Sequence, residues 1–335
     1  MILDPNRGAT ARLPDGPPLV CVVVDTEEEF DWSRPHDRAS TGVHNIRHQE
    51  RAHRVFERHG VRPTYVIDYP VASQADGFGP LRDLARAGVC EIGAHLHPWV
   101  NPPHDEAVTY ANSYPGNLPP ALEEAKLRVL TETIGANFGA ASTVYRAGRY
   151  GVGPATGGAL ERLGYTVDSS VVHGVDFSAD SGPDFTRCGA APYWFGAARP
   201  ILEVPLTHGF VGPLGRWALG RYRALFGGAG RALRLPGILS RAGLAERIRL
   251  SPEGASAADM IRLADCLIAR GERILMVSYH SPSLEPGHTP YVRTADDLAD
   301  FLDRIDRFLD HALGSLGGRP TTLAGIRALV TPPTA

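Results

Sequence analysis

An acidic run follows the first strongly apolar stretch of the chain. Apolar residues fill positions 19–24, and five acids fall within the next seven positions: Asp25, Glu27, Glu28, Glu29 and Asp31. Carboxylates at the end of a buried strand are costly unless a positive charge compensates them. Side chains two residues apart on a strand share a face, so Asp25, Glu27 and Glu29 would point together. The run therefore indicates a metal-binding position, and the alternative is an acidic surface turn.

Two histidines stand at the end of another apolar stretch. His95 and His97 are separated by one leucine in the segment that leads to Trp99. On a strand their side chains would point the same way, with Cα atoms about 6–7 Å apart. Two imidazoles, a carboxylate and an open position are typical of hydrolytic zinc sites. The pattern predicts one divalent metal, with zinc as the expected ion. The alternative is a pair of polar residues at a strand end.

Two further side chains could take part in acid–base chemistry. Arg146 ends an apolar stretch and is followed by Gly148, so its guanidinium could reach inward and hold a carboxylate. A surface salt bridge is the alternative for this arginine. His280 ends the last apolar stretch and could serve as a general acid. A buried structural histidine is the alternative there.

These residues need a scaffold, and short apolar runs alternate with helical patterns along the chain. The predicted strands are Leu19–Asp25, Pro63–Asp68, Cys90–His97, Thr143–Arg146, Tyr165–Val171, Ile201–Thr207 and Ile274–His280. The predicted helices cover residues 44–59, 79–88, 119–136, 155–163, 256–270 and 295–313. Thr294 is the expected N-cap of the last helix. Short buried strands joined by helical crossovers indicate a parallel sheet in an α/β fold.

Each predicted strand has a polar residue at or near its carboxyl end. In chain order these are Asp25, Asp68, His95 with His97, Arg146, Asp168, Thr207 with His208, and His280. Barrel enzymes assemble their active sites at that face, from the ends of several strands. Seven strands fit either a barrel, complete or incompletely closed, or an open sheet, and the polar ends favour the barrel.

Composition limits the remaining possibilities. The chain has 335 residues with a formal net charge of −3, which disfavours nucleic acid as a partner. There is no apolar run of about 18 residues, no basic and apolar leader, and no C-x-x-C pair. A cytoplasmic location is expected. Residues 1–17 are rich in Pro, Gly and Arg and are predicted to form a flexible arm, before one domain over 18–330 and a tail over 331–335.

Residues 209–250 differ from the rest of the chain. They hold eight arginines and one acid, Glu246, with Phe210, Trp217, Tyr222 and Phe226 interleaved. Arginines and aromatics on an amphipathic helix suit a membrane interface, so peripheral contact with the inner membrane is one reading. A solvated helical cap inserted between the sixth and seventh strands is the alternative. The same composition could bind the phosphate of a nucleotide-linked or lipid-linked sugar.

The four chemistry-bearing segments resemble, in order and context, the polysaccharide deacetylase (NodB-homology) family. The similarity covers residues 18–330. Within the family, the chain looks most like a cytoplasmic branch, the WalW-like proteins. It implies a distorted (β/α)7 barrel, here with the arginine-rich helical insertion. It also implies that Asp25 is the catalytic base, Glu27 a metal ligand, Arg146 the residue that orients the base, and His280 the catalytic acid.

The second histidine ligand is where this sequence departs from the family. His95 matches the first histidine of the family's motif, but the residue four positions later, usually histidine, is Trp99. We infer His97 as the second histidine ligand, with His104 as the reserve candidate. This spacing keeps a catalytically silent sugar-binding protein among the alternatives.

The resemblance implies removal of an N-acetyl group from a sugar, such as a precursor of a cell-envelope polysaccharide or lipopolysaccharide. A nucleotide or lipid could carry that sugar. An amidohydrolase that acts on a non-sugar amide is a further alternative. Aromatic rims can stack on sugar rings, although packing is an equally ordinary role for them. The residues predicted to bind substrate are Asp31, Trp32, Trp99, Tyr150, Asp168 and His208.

Overall fold

The computed structural model describes residues 2, 9–197, 200–221, 224–225, 230 and 233–333. Its strands are β1 (Leu19–Thr26), β2 (Thr64–Ile67), β3 (Glu91–Leu96), β4 (Val144–Ala147), β5 (Val167–Asp168), β6 (Tyr193–Phe195), β7 (Ile201–Glu203), β8 (His208–Val211), β9 (Glu246–Arg249), β10 (Ile274–His280) and β11 (Arg319–Pro320). Seven of them form a parallel sheet in the order β10-β1-β2-β3-β4-β5-β7. The sheet curls into half a barrel, which confirms the predicted fold class.

Helices connect most of these strands. Their bounds are α1 (Gln49–Arg58), α2 (Tyr69–Ser73), α3 (Ala75–Arg86), α4 (Pro120–Phe138), α5 (Thr156–Leu163), α6 (Gly215–Leu219), α7 (Leu235–Arg241), α8 (Ala257–Ala269), α9 (Ala295–Asp310) and α10 (Leu323–Ala328). The predicted cap of α9 is confirmed, because the Thr294 hydroxyl accepts from the Asp297 N–H within a capping box. Among the described residues, none of these helices is both long and apolar enough to pass through a lipid bilayer.

Strand β1, next to the end strand β10, shows why the sheet can carry a buried site. All eight of its residues are buried, as expected for a strand covered on both faces. Its neighbours are β10 and β2, and its register places Asp25 beside His280. Residues side by side in a parallel sheet point to the same face, so these two side chains enter the barrel together.

Thr207 bridges the open seam between β7 and β10. Its hydroxyl donates to the carbonyl of Ile274 (3.2 Å) and accepts from the N–H of Met276 (2.9 Å). The Leu250 N–H donates to the Thr207 carbonyl, and the Ser278 N–H donates to the Leu250 carbonyl. Isolated hydrogen bonds thus take the place of a strand ladder at this point of the described chain.

The described part of residues 209–250 packs against the helix α8. It begins and ends in the antiparallel hairpin of β8 and β9, which makes this contact. The proposed contacts with a membrane or a phosphate depend in part on three residues that lie outside the described residues: Tyr222, Arg223 and Phe226. So do most of residues 1–8 of the predicted arm and the last two residues of the tail, whereas Thr10 forms a bridge with Tyr193 at the edge of the sheet.

Candidate active site

The carboxyl ends of β1, β3, β4 and β10 bring the predicted residues together. Asp25 is in register with His280, and His95 is in register with Arg146. All four side chains point into the barrel, three of them are almost fully buried, and the short loop after β1 adds Glu27. The parallel sheet therefore turns positions distant in sequence into one cluster.

Glu27, His95 and His97 form a group suited to a metal ion. A carboxylate oxygen and two imidazole nitrogens of these residues lie within 4.8 Å of one another. The Glu27 Oε2 atom is 3.8 Å from His95 Nε2 and 3.5 Å from His97 Nε2. Burial and the neighbouring carboxylates raise the pKa of Glu27 well above its ordinary range, and its Oε1 is buried with no hydrogen-bond partner. A divalent cation between the three side chains would supply the missing charge.

Hydrogen bonds set both imidazoles in the orientation that a metal requires. His95 Nδ1 lies 2.9 Å from the carbonyl oxygen of Arg146, and His97 Nδ1 lies 2.8 Å from Glu28 Oε2. Each Nδ1–H donates to its acceptor, which leaves the Nε2 lone pair facing Glu27. Burial lowers the pKa of His95 to about 3 and that of His97 to about 4, so both rings are neutral. The donor set fits zinc.

Glu28 and Trp99 support this group from behind. The Trp99 indole N–H donates to Glu28 Oε1 at 2.7 Å, and the ring stacks against His97 with centroids 4.3 Å apart. Trp99 is only 2% exposed. It therefore packs beneath the cleft, where its main contact is with the candidate ligand His97. His104, the reserve ligand, is exposed and lies outside the group.

Asp25 is held ionised by Arg146. Arg146 Nη1 donates to Asp25 Oδ1 at 2.7 Å, and Nε donates to the Ser169 carbonyl at 2.8 Å. Burial alone would raise the pKa of Asp25, but the Arg146 guanidinium that pairs with it lowers that pKa below its ordinary value. A buried, ionised carboxylate fixed by a bidentate-capable arginine can accept a proton.

His280 faces Asp25 and is anchored by Glu253. Its Nε2 is 3.8 Å from Asp25 Oδ2, and its Nδ1 is 2.8 Å from Glu253 Oε2. Burial opposes a charged ring, but Glu253 and Glu27 outweigh it and raise the pKa of His280 well above its ordinary value. Glu253 was not predicted; it follows β9 in the motif Ser-Pro-Glu, which carries no recognisable chemical signal.

A cleft of about 310 Å³ opens above these residues. Of the predicted substrate-binding residues it is lined by Asp31, Trp32, Trp99 and Tyr150. Trp32 meets the His280 ring edge-on, with centroids 5.0 Å apart. The cleft is thus aromatic on one side and bounded below by Asp25, His280 and the candidate ligands.

Asp168 and His208 do not line this cleft. Asp168 is in register with Tyr145, and neighbours on β4 alternate, so it points to the face opposite Arg146. There it lies beside Glu203, away from the barrel interior. His208 stacks on His173 with centroids 4.2 Å apart. It lines a smaller cavity that shares Asp25, Tyr150 and His280 with the cleft. The position of Asp168 gives no support to its predicted contact with substrate, and the contact predicted for His208 stays a prediction.

The fold is that of a NodB-type half-barrel, and solved structures share it. A "probable polysaccharide deacetylase" of Pseudomonas aeruginosa PAO1 has 14% identity and a TM-score of 0.51, with 93% of this chain and 90% of that chain covered. PuuE allantoinase has 14% identity and a TM-score of 0.52, with 93% and 89% covered. The 4-alpha-glucanotransferase of Thermococcus litoralis has 12% identity and a TM-score of 0.51, with 94% and 40% covered.

Sequence comparison adds no closer relationship. The chain matches no protein-family model and has no significant match among curated proteins. The predicted resemblance to polysaccharide deacetylases is therefore confirmed at the level of the fold. The WalW-like branch stays a prediction.

Proposed function

We propose that the chain is a metal-dependent hydrolase that removes the acetyl group from an N-acetylated sugar. The observation that carries this proposal is the convergence of Glu27, His95 and His97 on one point flanked by Asp25 and His280. An amide is hydrolysed most readily where a base and an acid stand near a Lewis acid. A protein that only bound sugar would need neither.

The residues divide the reaction between them. When bound by Glu27, His95 and His97, a divalent metal supplies Lewis acidity toward the acetamide carbonyl and the attacking water. Asp25, kept ionised by Arg146, accepts the proton that water loses as its oxygen attacks the carbonyl carbon. His280 then donates a proton to the sugar nitrogen as the C–N bond breaks. The products are an amino sugar and acetate.

The cleft supports a sugar as the substrate. Its volume of about 310 Å³ lies at the lower end of the range for small-molecule sites. Trp32 and Tyr150 can cover the apolar face of a sugar ring, and Asp31 can accept from its hydroxyls. These assignments, like the roles of the catalytic residues, are proposals that rest on position and chemistry.

The carrier and location of the substrate are proposed from the arginine-rich segment. A phosphate-bearing or lipid-linked sugar would suit its charge, and Trp217, Leu233 and Ile238 are exposed apolar residues that suit peripheral membrane contact. A cytoplasmic location follows from the sequence argument and stays a prediction.

A non-sugar amide is the second candidate substrate. The likeness in fold to PuuE allantoinase favours it, because that protein and the deacetylase are equally similar to this chain. Asp25, His280 and the candidate ligands could serve either reaction. The two proposals differ only in what the cleft accepts.

Acetate release decides between them. The zinc-loaded protein is incubated with N-acetylglucosamine, N-acetylgalactosamine, N-acetylmannosamine, chito-oligosaccharides, UDP-N-acetylglucosamine and allantoin, and acetate and ring-opened product are quantified by mass spectrometry. Acetate from an N-acetyl sugar, abolished by Asp25→Asn, supports the proposal. Turnover of allantoin alone, or equal activity in Asp25→Asn, refutes it.

A further inference from the structure

The loop after β4 delivers a strained arginine to the cleft. Arg149 and Tyr150 both adopt positive φ angles, 54° and 58°, although neither is glycine. Such residues persist only where the surrounding structure enforces them, and they concentrate at functional sites. Gly148 lets the loop press on the ligand histidine, because a Cβ there would lie 2.5 Å from His97 Cδ2. Both Arg149 and Tyr150 line the cleft as a result.

Aromatic rings and neutral acceptors hold the Arg149 guanidinium in place. Its central carbon lies 4.2 Å from the ring centroid of Tyr110 and 4.0 Å from that of Tyr114. It donates to the Tyr114 hydroxyl at 2.9 Å, to the Ser113 hydroxyl and to the Tyr110 carbonyl at 3.4 Å. A guanidinium has five N–H donors, so two remain for a ligand. The guanidinium is therefore held in a fixed orientation with two N–H donors still available.

Among the described arginines at the cleft, Arg149 is the one without an acidic partner. Arg34 pairs with Asp31 at 3.2 Å, and Arg146, beneath the cleft, pairs with Asp25 at 2.7 Å. Arg149, in contrast, contacts only neutral acceptors. A half-buried cation without a carboxylate partner favours an anion that comes from outside. Because Arg149 and His97 line the same cleft, that anion would lie in the cleft with the reacting amide.

We propose that Arg149 selects a substrate with an acidic group, a carboxylate or a phosphate, close to the N-acetyl group. This inference rests on the proposed deacetylation and narrows its substrate to an anionic N-acetyl sugar. Arg149 acts as a specificity residue that binds the acid and takes no proton. The Arg149 guanidinium would also give an anionic sugar carrier one cationic contact in the cleft without any contribution from residues 209–250.

Matched substrates test this assignment. The probes are N-acetylglucosamine, its 1-phosphate, its 6-phosphate and N-acetylglucosaminuronic acid, with kcat and KM measured for each. A charge-assisted hydrogen bond to arginine corresponds to about 10- to 100-fold in kcat/KM, carried mainly by KM. We expect the native protein to prefer at least one acidic sugar by that factor, and the preference to fall as salt rises. The acid that is preferred distinguishes phosphate from carboxylate.

Variants separate recognition from a structural role of the loop. Arg149→Gln should lower kcat/KM more on the preferred acidic sugar than on the neutral one and so lose the preference, and Arg149→Lys should keep part of it. Arg54→Gln, on α1 and paired with Glu50, removes one exposed positive charge far from the cleft and serves as the charge control. Circular dichroism and melting temperature verify that each variant is folded.

Three results overturn the inference in distinguishable ways. Hydrolysis of the neutral sugar with no preference for any acidic one leaves the deacetylase proposal intact and refutes the role of Arg149. Equal loss on neutral and acidic sugars in a folded Arg149→Gln protein shows a structural arginine only. Failure to hydrolyse any of the four sugars refutes the inference, and absence of acetate from the wider panel of N-acetyl sugars as well refutes the deacetylase proposal with it. If Arg149→Gln does not fold, the Arg149→Lys protein and the native preference still decide.

Discussion

Replacing Glu253 with glutamine removes one negative charge behind the proposed catalytic acid and little else. Glu253 Oε2 accepts from His280 Nδ1–H at 2.8 Å, and Oε1 accepts from the His280 backbone N–H at 3.0 Å. The side chain is 6% exposed, so solvent cannot take over its role. In Glu253→Gln the amide NH₂ must face one of these donors. If it faces Nδ1, the ring adopts the tautomer with its proton on Nε2.

The size of the effect follows from the charge and the geometry. Two unit charges about 4 Å apart at an effective dielectric constant of about 20 interact by about 4 kcal/mol. Glu253 raises the pKa of His280, so the imidazolium persists to higher pH in the native protein. Without that carboxylate the pKa of His280 falls, and the acid form is lost at lower pH. We expect kcat/KM at neutral pH to fall by about 10²- to 10⁴-fold, the usual contribution of general acid catalysis.

The assay is kcat/KM against pH for acetate release, in native protein and in Glu253→Gln. The expected result is a lower plateau and an alkaline limb displaced toward lower pH. Ser283→Ala is the matched control, because it removes a hydroxyl that donates to Glu253 but leaves the carboxylate and both His280 contacts. The kcat/KM of Ser283→Ala should fall by less than about 10-fold. An unchanged alkaline limb with kcat/KM near the native value would refute the assignment of His280 as the acid.

Three further predictions concern the metal, the pH dependence of stability and the seam of the barrel. Asp25→Asn should keep bound zinc and Glu27→Gln should lose it, as metal analysis per chain after dialysis will show; the reverse pattern would exchange their roles. Burial raises the pKa of Glu123 to about 7, although the hydrogen bond from Thr156 acts to lower it. The stability that this group contributes is therefore fully present below about pH 4.5 and is lost as pH rises through 7. Glu123→Gln should therefore flatten the pH dependence of the unfolding free energy between these values, by up to about 3 kcal/mol, and a denaturation series that parallels the native curve would contradict this. Thr207→Val leaves the Met276 N–H without its acceptor and should lower the unfolding free energy by about 1–3 kcal/mol. Thr207→Ser keeps a hydroxyl there and should lower the unfolding free energy much less.

Some parts of the site were predictable because they depend on local periodicity. An apolar run followed at once by acids predicts a buried strand with carboxylates at its end, and Asp25 and Glu27 lie where that pattern puts them. The alternation of His95 and His97 likewise predicts a shared face, and the structure brings both to Glu27. A period of two residues is a property of the strand itself and needs no knowledge of its neighbours.

Other parts depend on register, which a single sequence does not reveal. Asp168 lies near the carboxyl end of one predicted strand and Arg146 ends another, yet the pairing of β4 with β5 aligns Asp168 with Tyr145 and turns it away from the cleft. A shift of one residue in register would reverse that direction, and nothing local specifies the shift.

The sequence by itself therefore determined the seven strands of the parallel sheet, their polar ends and the types of the candidate ligands, because local side-chain order controls these. Only the tertiary structure decided the partners: Glu253 for His280, Glu28 for His97, and the tyrosine-lined position of Arg149. Those pairs join loops and strands separated by tens of residues in the chain. Their contacts arise from the curl of the sheet and the packing of the loops at its carboxyl edge, where the orientation of each side chain depends on neighbours that are remote in sequence.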